Sequence, residues 1–181
     1  VAAGPGSFTG LRIGSATAKG LGLALKKPLV EIPTVDALAY NLYDSRALIC
    51  PIMDARRSQV YTGIYRFQEH KLVTVEAQMA VPMAEMIEKL NARGEEVVFL
   101  GDGVPVFGKM IQENLKVPYS FAPAHVNKQR AAAVAALGEI YMKEGKVVTA
   151  MEHVPEYLRV SQAERERAQK LQEENASEKN S

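Results

Sequence analysis

Strand-like and helix-like patterns alternate along this chain, and the alternation limits its folds more than any other feature of the sequence. Residues 1–3 predict the end of an apolar strand, residues 9–25 a long helix, residues 28–32 a second strand, and residues 34–42 a helix capped by Thr34. This order of elements is typical of proteins in which helices pack on a parallel sheet. We therefore expect an α/β fold.

The alternation continues after residue 45, where strand character first becomes stronger. Residues 47–53 form an apolar run, and polar residues 54–58 separate it from a strand-like run at 60–67, so the two predict a hairpin. The remaining predicted elements are a strand at 71–81, a helix from Pro82 to Gly94, a strand at 96–100, and helices at 104–115 and 128–143.

Charge and cysteine content exclude several classes of protein. The 22 basic and 21 acidic residues give a formal net charge of +1, so the whole chain has no general attraction for nucleic acid or anionic lipid. Any nucleic-acid contact would have to be local or made through a partner. The one cysteine, Cys50, allows no disulfide within the chain and is expected to be buried. Without a signal peptide, membrane span or lipidation motif, we expect a cytoplasmic protein.

A glycine-rich turn, GPGSFTGLR at residues 4–12, stands at the start of the long predicted helix. Free backbone N–H groups at such a position could hold a phosphate. The P-loop and dinucleotide-binding patterns both fail, because Thr9 stands where each requires a glycine. Two interpretations stay open, an anion site and a tight turn that needs unusual φ angles.

Small residues repeat every four positions along the same helix, with leucines beside them. The stripe and its flanking leucines comprise Gly10, Gly14, Ala18, Gly22, Leu11, Leu21 and Leu25. Each internal glycine costs about 0.5–1 kcal/mol of helix stability relative to alanine, so we expect another backbone to pack closely here. That backbone belongs either to the protein's own sheet or to a helix of another subunit.

Two further turns carry groups that could contact a ligand. The hairpin turn contains Asp54, Arg56 and Arg57, which form either a phosphate site or a charged turn with an Asp–Arg pair. Gly101-Asp102-Gly103 follows a strand and precedes a helix, where open α/β sheets bind ligands, yet the same residues also suit an ordinary turn.

The three histidines are poor candidates for chemistry. His70, His125 and His153 lie far apart in the sequence, and no two of them share a helical turn as metal ligands often do. We therefore expect no metal site and no catalytic histidine.

Taken in order, these motifs resemble the TsaB family, also called YeaZ. The resemblance rests on residues 4–14, 18–21, 33–34, 54–56 with 60–61, 101–103 and 155–159, and it extends from residue 1 to about residue 160. It implies the two-lobed actin/Hsp70/sugar-kinase-like fold (ASKHA, ribonuclease H-like).

The resemblance also implies a division of the chain. Residues 1–45 are expected to form the remainder of the N-terminal lobe, residues 46–160 the second lobe, and residues 161–181 a charged, disordered tail. Because residues 1–3 run straight into the glycine turn and no initiator methionine precedes them, we expect a fragment that lacks the N-terminal strands of the first lobe.

The family further implies a role without catalysis. TsaB looks like a degenerate copy of TsaD, the paralogue that transfers the threonylcarbamoyl group to the adenosine beside the tRNA anticodon. TsaD has metal-binding histidines just after the equivalent helix, whereas residues 33–40 here offer a metal only Asp36. The hairpin also carries side chains where TsaD has a glycine-rich turn. We therefore expect no catalytic residue and a non-catalytic accessory subunit.

Partners follow from the same resemblance. It implies a heterodimer with TsaD, the ATPase TsaE bound through the TsaB–TsaD pair, a homodimer when the chain is alone, indirect contact with tRNA, and no membrane. The expected interface residues are Leu11, Gly14, Ala18, Leu21 and Gly22. No cofactor of its own is expected, with ATP or ADP at the complex interface as the open alternative.

Two rival functions remain. One is a nucleotide-binding regulatory switch that uses Gly101, Asp102 and Gly103. The other is a metallopeptidase of the M22 glycoprotease type, which would need metal ligands or a nucleophile with a base, and the sequence indicates neither.

Overall fold

The computed structural model describes residues 1–158, which form five helices and seven strands. The helices are α1 (Phe8–Leu25), α2 (Thr34–Tyr40), α3 (Met83–Arg93), α4 (Val104–Asn114) and α5 (Ala131–Lys143). The strands are β1 (Ala2–Gly4), β2 (Ile32–Pro33), β3 (Leu48–Asp54), β4 (Gln59–Gln68), β5 (Lys71–Pro82), β6 (Val97–Leu100) and β7 (Tyr119–Phe121). The predicted alternation of strands and helices is confirmed, and the predicted tail at 161–181 lies outside the described residues.

The larger sheet has five strands in the order β5-β4-β3-β6-β7. β4 pairs antiparallel with both β3 and β5, whereas β3–β6 and β6–β7 are parallel pairs. The predicted hairpin is confirmed, with Asp54 opposite Val60 at its turn. β3, β6 and β7 therefore end on the same side of the sheet, which we call the carboxyl edge.

The central strand β3 is buried on both faces of the sheet. Leu48, Cys50 and Ile52 lie in one apolar cluster with residues of α3 and α4, whereas Ile49 and Met53 lie in a second cluster with α2. Successive side chains of a strand point to opposite faces, which separates these two sets. Burial on both sides explains why the run is apolar throughout instead of alternating with polar residues.

The end of the described chain returns to its beginning. Leu29 and Val148 exchange two backbone hydrogen bonds of 2.8 and 2.9 Å. α5 packs against α2 and β2, and its Leu137 shares a buried cluster with Ile32 and Ala37. The predicted boundary between residues 45 and 46 stays a prediction, and the sequence did not indicate this return of residues 131–157.

Several element predictions are wrong in detail. The N-cap of α2 is Pro33, and Thr34 is the first helical residue, with a side chain that caps nothing. α5 begins at Ala131 instead of residue 128, because the preceding residues form a loop tied to α2. Of the strand predicted at 28–32, only its last residue, Ile32, lies in a strand, the two-residue β2. The short edge strand β7 was not predicted.

Substitution of Gly101 tests the tight turn between β6 and α4. Gly101 has φ +112°, and a Cβ there would collide with the carbonyl oxygen of Ile52. We expect Gly101→Ala to lower the free energy of unfolding by about 2–4 kcal/mol, measured by urea denaturation.

A matched control is Gly138→Ala in the interior of α5, where a Cβ meets nothing within 4 Å. This variant should be more stable than the wild type by about 0.5–1 kcal/mol, because alanine loses less backbone entropy in a helix. Equal effects of the two substitutions would contradict the close approach at Gly101.

Candidate functional site

A cleft lies between the glycine-rich turn before α1 and the carboxyl edge of the larger sheet. It contains two adjoining cavities of about 430 and 250 Å³, and Gly6, Ser7, Met53 and Asp102 line both. The larger cavity is further lined by Gly10, Leu11, Gly14, Thr34 and Gln129, and the smaller by Asp54, Ala55, Arg56 and Tyr61, among others. The structure therefore brings together the three turns that the sequence indicated separately.

Two of the three backbone N–H groups of the Gly101–Gly103 turn are engaged within the chain. The Gly101 amide donates to the carbonyl oxygen of Asn127 at 2.8 Å, and the Gly103 amide donates to that of Ile52 at 3.0 Å. These N–H groups are therefore already used within the chain. Of the three predicted nucleotide-binding residues, Asp102 borders both cavities, and its Oδ1 accepts a hydrogen bond from the Asp54 amide at 3.2 Å.

The hairpin turn carries the Asp–Arg pair that the sequence suggested. Asp54 Oδ1 accepts a hydrogen bond from the Arg56 amide at 2.8 Å, and Asp54 Oδ2 lies 3.4 Å from Arg56 Nη1. Three consecutive residues, Arg56, Arg57 and Ser58, have φ of 64°, 54° and 58°. Left-handed backbone is unfavourable for residues with a Cβ, so this turn holds two arginines in a costly conformation.

Glycine at position 4 is required by the segment that returns from the end of the described chain. Gly4 has φ +120°, and a Cβ there would collide with the carbonyl oxygen of Glu156. The Glu156 amide donates to the Ala3 carbonyl oxygen at 2.7 Å. The interpretation of this part of the motif as a tight turn with unusual φ is therefore confirmed. Ser7 then caps α1, because its Oγ accepts a hydrogen bond from the Gly10 amide at 3.3 Å.

The first residues of α2 place two polar side chains below the cleft. Thr34 is 8% exposed, lines the larger cavity, and its Oγ1 has no hydrogen-bond partner in residues 1–158. Asp36 accepts hydrogen bonds from Tyr65 Oη at 2.7 Å and Tyr141 Oη at 3.2 Å. Burial raises the pKa of Asp36, and the two tyrosine hydroxyls oppose that rise. Each of the two Asp36 oxygens thus accepts a hydrogen bond from a tyrosine hydroxyl.

The remaining candidates for chemistry lie apart from one another. His70 is an exposed residue that pairs with Asp44 at 3.1 Å, whereas His153 is buried, with its Nδ1 2.6 Å from Glu31 Oε1. Burial raises the pKa of the Cys50 thiol to about 12, so it stays protonated at neutral pH. In the described part of the chain, no three histidine, cysteine or acidic residues are grouped where they could hold a metal ion.

The predicted interface stripe does not lie on one face of α1. Gly14 and Ala18 are half-buried, and Leu11 packs over the turn, with its Cγ 3.6 Å from the Cβ position of Gly6. Gly22 is buried against the chain's own Leu29 and Ala150. On a helix of 3.6 residues per turn, each step of four residues shifts the position by about 40° around the helix axis. Four small residues spaced in this way therefore pass from the exposed side of the helix to its buried side. Packing within the chain therefore accounts for Gly22.

A different set of residues forms the exposed side of α1, which we call the outer face: Ile13, Thr17, Gly20, Leu21 and Ala24. The side chain of Ile13 is 64% exposed and that of Leu21 58%. α1 has only two charged residues, and both have partners within the chain: Arg12 stacks over Phe8 of the first turn of α1 at 3.9 Å, and Lys19 Nζ donates to the His153 carbonyl oxygen at 2.9 Å. The outer face is consequently uncharged. Of these five residues, only Leu21 belongs to the predicted interface set, and that set stays a prediction.

Comparison with known proteins identifies the family. The family model described as TsaD, tRNA N6-adenosine threonylcarbamoyltransferase, matches residues 1–167. The tRNA threonylcarbamoyladenosine biosynthesis protein TsaB of Bacillus subtilis is 37% identical over 164 residues, which cover 91% of this chain and 70% of that protein. This chain belongs to the TsaB/YeaZ family. TsaB of Escherichia coli is 30% identical over 160 residues, 86% of this chain and 68% of that protein.

Solved structures show the same fold for the TsaB/YeaZ family. A Pseudomonas aeruginosa protein described as similar to peptidase YeaZ superimposes with a TM-score of 0.72 at 24% identity, covering 87% of this chain and 71% of that one. YeaZ from Pseudomonas aeruginosa gives a TM-score of 0.68 at 23% identity, over 86% and 72% of the two chains. The predicted α/β fold class is confirmed, and the match is consistent with the actin-like two-lobed fold. No helix in residues 1–158 has the length and apolar character needed to span a bilayer.

The buried carboxyl group of Asp36 predicts a particular dependence of stability on pH. Because its pKa is raised in the folded chain, its protonation favours folding; this contribution is fully present below the ordinary value of 3.8 and is lost as pH rises through the raised value. Urea denaturation of the wild type and Asp36→Asn between about pH 4 and 7 measures it. The wild type should lose stability relative to the variant as pH rises. A constant difference would contradict the raised pKa.

Proposed function

We propose that this chain is a non-catalytic accessory subunit that binds a TsaD-type transferase and supports formation of threonylcarbamoyladenosine next to the anticodon of tRNAs. Membership of the family supports a role in this pathway, because the related proteins are named as tRNA threonylcarbamoyladenosine biosynthesis proteins. Such a role is exerted in the cytoplasm, where tRNA is modified. The binding role rests on one observation, the outer face of α1.

The outer face has the character of a surface that is covered in an assembly. An exposed helix face in water normally carries charged residues, whereas this one carries isoleucine, leucine, alanine, glycine and threonine over three turns. Full burial of an isoleucine or leucine side chain contributes about 1.5–3 kcal/mol. Small residues between Ile13 and Leu21 would let a partner helix come close to the backbone. A central helix of this kind suits the apolar centre of a stable interface, which typically buries about 1,600 Å² in total.

Several features support a role without catalysis. Asp36, the acidic residue nearest the position of the metal ligands in TsaD, is engaged by two tyrosines. The amides of Gly101 and Gly103 are engaged as well, so two of the three backbone N–H groups of this turn are unavailable to a nucleotide. The same outer face would pair two copies of the chain when TsaD is absent. TsaE would then join through the TsaB–TsaD pair, with ATP or ADP held at the interface of the complex.

A charge placed on the outer face tests the binding role. Ile13→Glu and Leu21→Glu should each weaken binding to TsaD by about 30-fold or more, because a carboxylate would be buried in an apolar contact. Binding of the purified proteins can be measured by calorimetry or surface immobilisation. The matched control is Val106→Glu on α4, where an exposed valine, 57% accessible, lies on another helix. That variant should bind as the wild type does, and unchanged binding of both α1 variants would exclude this surface.

A second candidate, a nucleotide-binding switch, is favoured by the Thr34 hydroxyl, which is buried beside a cavity of about 430 Å³ and has no hydrogen-bond partner among residues 1–158. Titration calorimetry with ADP separates the two functions. A dissociation constant tighter than about 1 mM that Thr34→Val weakens at least tenfold would support the switch. The accessory role predicts no saturable heat from ADP when the chain is alone.

A further inference from the structure

Basic residues from two separate loops meet at the carboxyl edge of the larger sheet. The loops that follow β3, β6 and β7, at residues 54–58, 101–103 and 122–130, contain four arginines or lysines and two aspartates, although the whole chain has a net charge of only +1. Asp102 borders both cavities of the cleft, with Arg56 lining one and Gln129 the other. Lys128 and Arg130 flank Gln129 in the sequence, so both loops that carry basic residues border the cleft beside Asp102.

The two aspartates offset only part of the positive charge at this edge, because four basic residues stand against two acidic ones. Asp54 is engaged by the amide and the guanidinium of Arg56, and Asp102 Oδ1 accepts from the Asp54 amide. Arg57, Lys128 and Arg130 are exposed, and none of the three forms an ion pair with another residue of the described range 1–158. The edge therefore presents free positive charge to the solvent.

Local structure disfavours basic residues at these positions. Arg56 and Arg57 are adjacent like charges in left-handed backbone conformation. Arg130 is the N-cap of α5 and makes no capping hydrogen bond, and the first turn of α5 has no acidic residue. The positive end of the helix dipole repels cations at that place. The Asp54–Arg56 ion pair offsets part of this cost for Arg56, whereas no ion pair within residues 1–158 does so for Arg57 or Arg130.

The loop that carries Lys128 is held in place. Asn41 Nδ2, just after α2, donates hydrogen bonds to the carbonyl oxygens of Val126 at 2.9 Å and Lys128 at 2.7 Å. The Gly101 amide binds the intervening carbonyl of Asn127. The backbone below the basic side chains is therefore ordered before any ligand arrives, which lowers the entropic cost of binding.

We propose that this basic edge, Arg56, Arg57, Lys128 and Arg130, binds the phosphodiester backbone of RNA. The inference rests on the proposed function, which makes the RNA a substrate tRNA that touches this subunit directly and not only through its partner. Guanidinium and ammonium groups bind phosphates without reading the base sequence. A protein partner is disfavoured, because protein interfaces have apolar centres and none of the exposed large apolar side chains in residues 1–158 lies in these three loops.

Fluorescence anisotropy with a labelled, unmodified tRNA transcript and the full chain tests the basic edge. The test variant combines Arg57→Glu, Lys128→Glu and Arg130→Glu. The control combines Lys71→Glu, Lys109→Glu and Lys116→Glu, which change the net charge by the same amount but lie away from the carboxyl edge. Lys71 begins β5 and Lys116 precedes β7, so both lie at the edge of the sheet opposite the carboxyl edge. Circular dichroism checks the fold of both. TsaD binding is measured for each in parallel.

The proposal predicts that the test variant loses at least tenfold in tRNA affinity and retains wild-type binding to TsaD, whereas the control changes tRNA affinity by less than about threefold. The magnitude of the slope of log affinity against log salt concentration should fall by about 2 in the test variant. Three phosphate contacts are lost, and each contributes about 0.7–0.9 to that slope. Equal losses in both variants would mean general charge attraction and overturn the proposal. Wild-type tRNA affinity in the test variant would also overturn the proposal. If that variant binds tRNA normally but no longer binds TsaD, the edge is a protein contact.

Failure of the proposed function is distinguishable in the same experiment. The Ile13→Glu variant should lose TsaD and keep its tRNA affinity, because the outer face and the basic edge are separate surfaces. If the wild type binds tRNA through the basic edge and does not bind TsaD, the accessory role is wrong while the RNA site stands.

Discussion

One buried carboxylate, that of Asp36, connects three parts of the fold. From α2 it accepts hydrogen bonds from Tyr65 of β4 and Tyr141 of α5, so the larger sheet, α2 and the returning helix are held in one arrangement. Burial of a carboxylate is costly, and its raised pKa means that burial outweighs the two hydrogen bonds. Asp36 is therefore a structural link between these elements. Around that link the chain places α1 on one side of the cleft and the carboxyl edge on the other.

The fold exposes two surfaces of opposite character. The outer face of α1 is apolar and uncharged, because Arg12 and Lys19 are turned to partners within the chain. The carboxyl edge carries free basic side chains on loops fixed by Asn41 and by backbone contacts of Gly101. An apolar helix face suits a protein partner, whereas an ordered cationic rim suits phosphates. The two surfaces together suit the proposed role of a subunit that joins an enzyme to its nucleic-acid substrate.

The elements of the fold were largely predictable from the sequence, whereas the contacts between distant residues were not. Apolar runs and punctuating proline and glycine located β3 to β6 and α3, because these signals are local. The partners of Asp36 could not be found, since Tyr65 and Tyr141 lie 29 and 105 residues away. The four-residue spacing of small residues suggested one stripe, yet helical rotation takes Gly22 to the inside. The buried His153 contacts Glu31 at 2.6 Å, 122 residues away, and no sequence pattern linked the two.

The most direct test of the accessory role is reconstituted threonylcarbamoyl transfer to unmodified tRNA, with TsaD and TsaE from the same organism. The transfer rate is measured with TsaD and TsaE alone, with this chain alone, and with all three proteins. The account predicts that transfer by TsaD depends on this chain and that the chain by itself transfers nothing. Equal rates with and without the chain, or transfer by the chain alone, would contradict it.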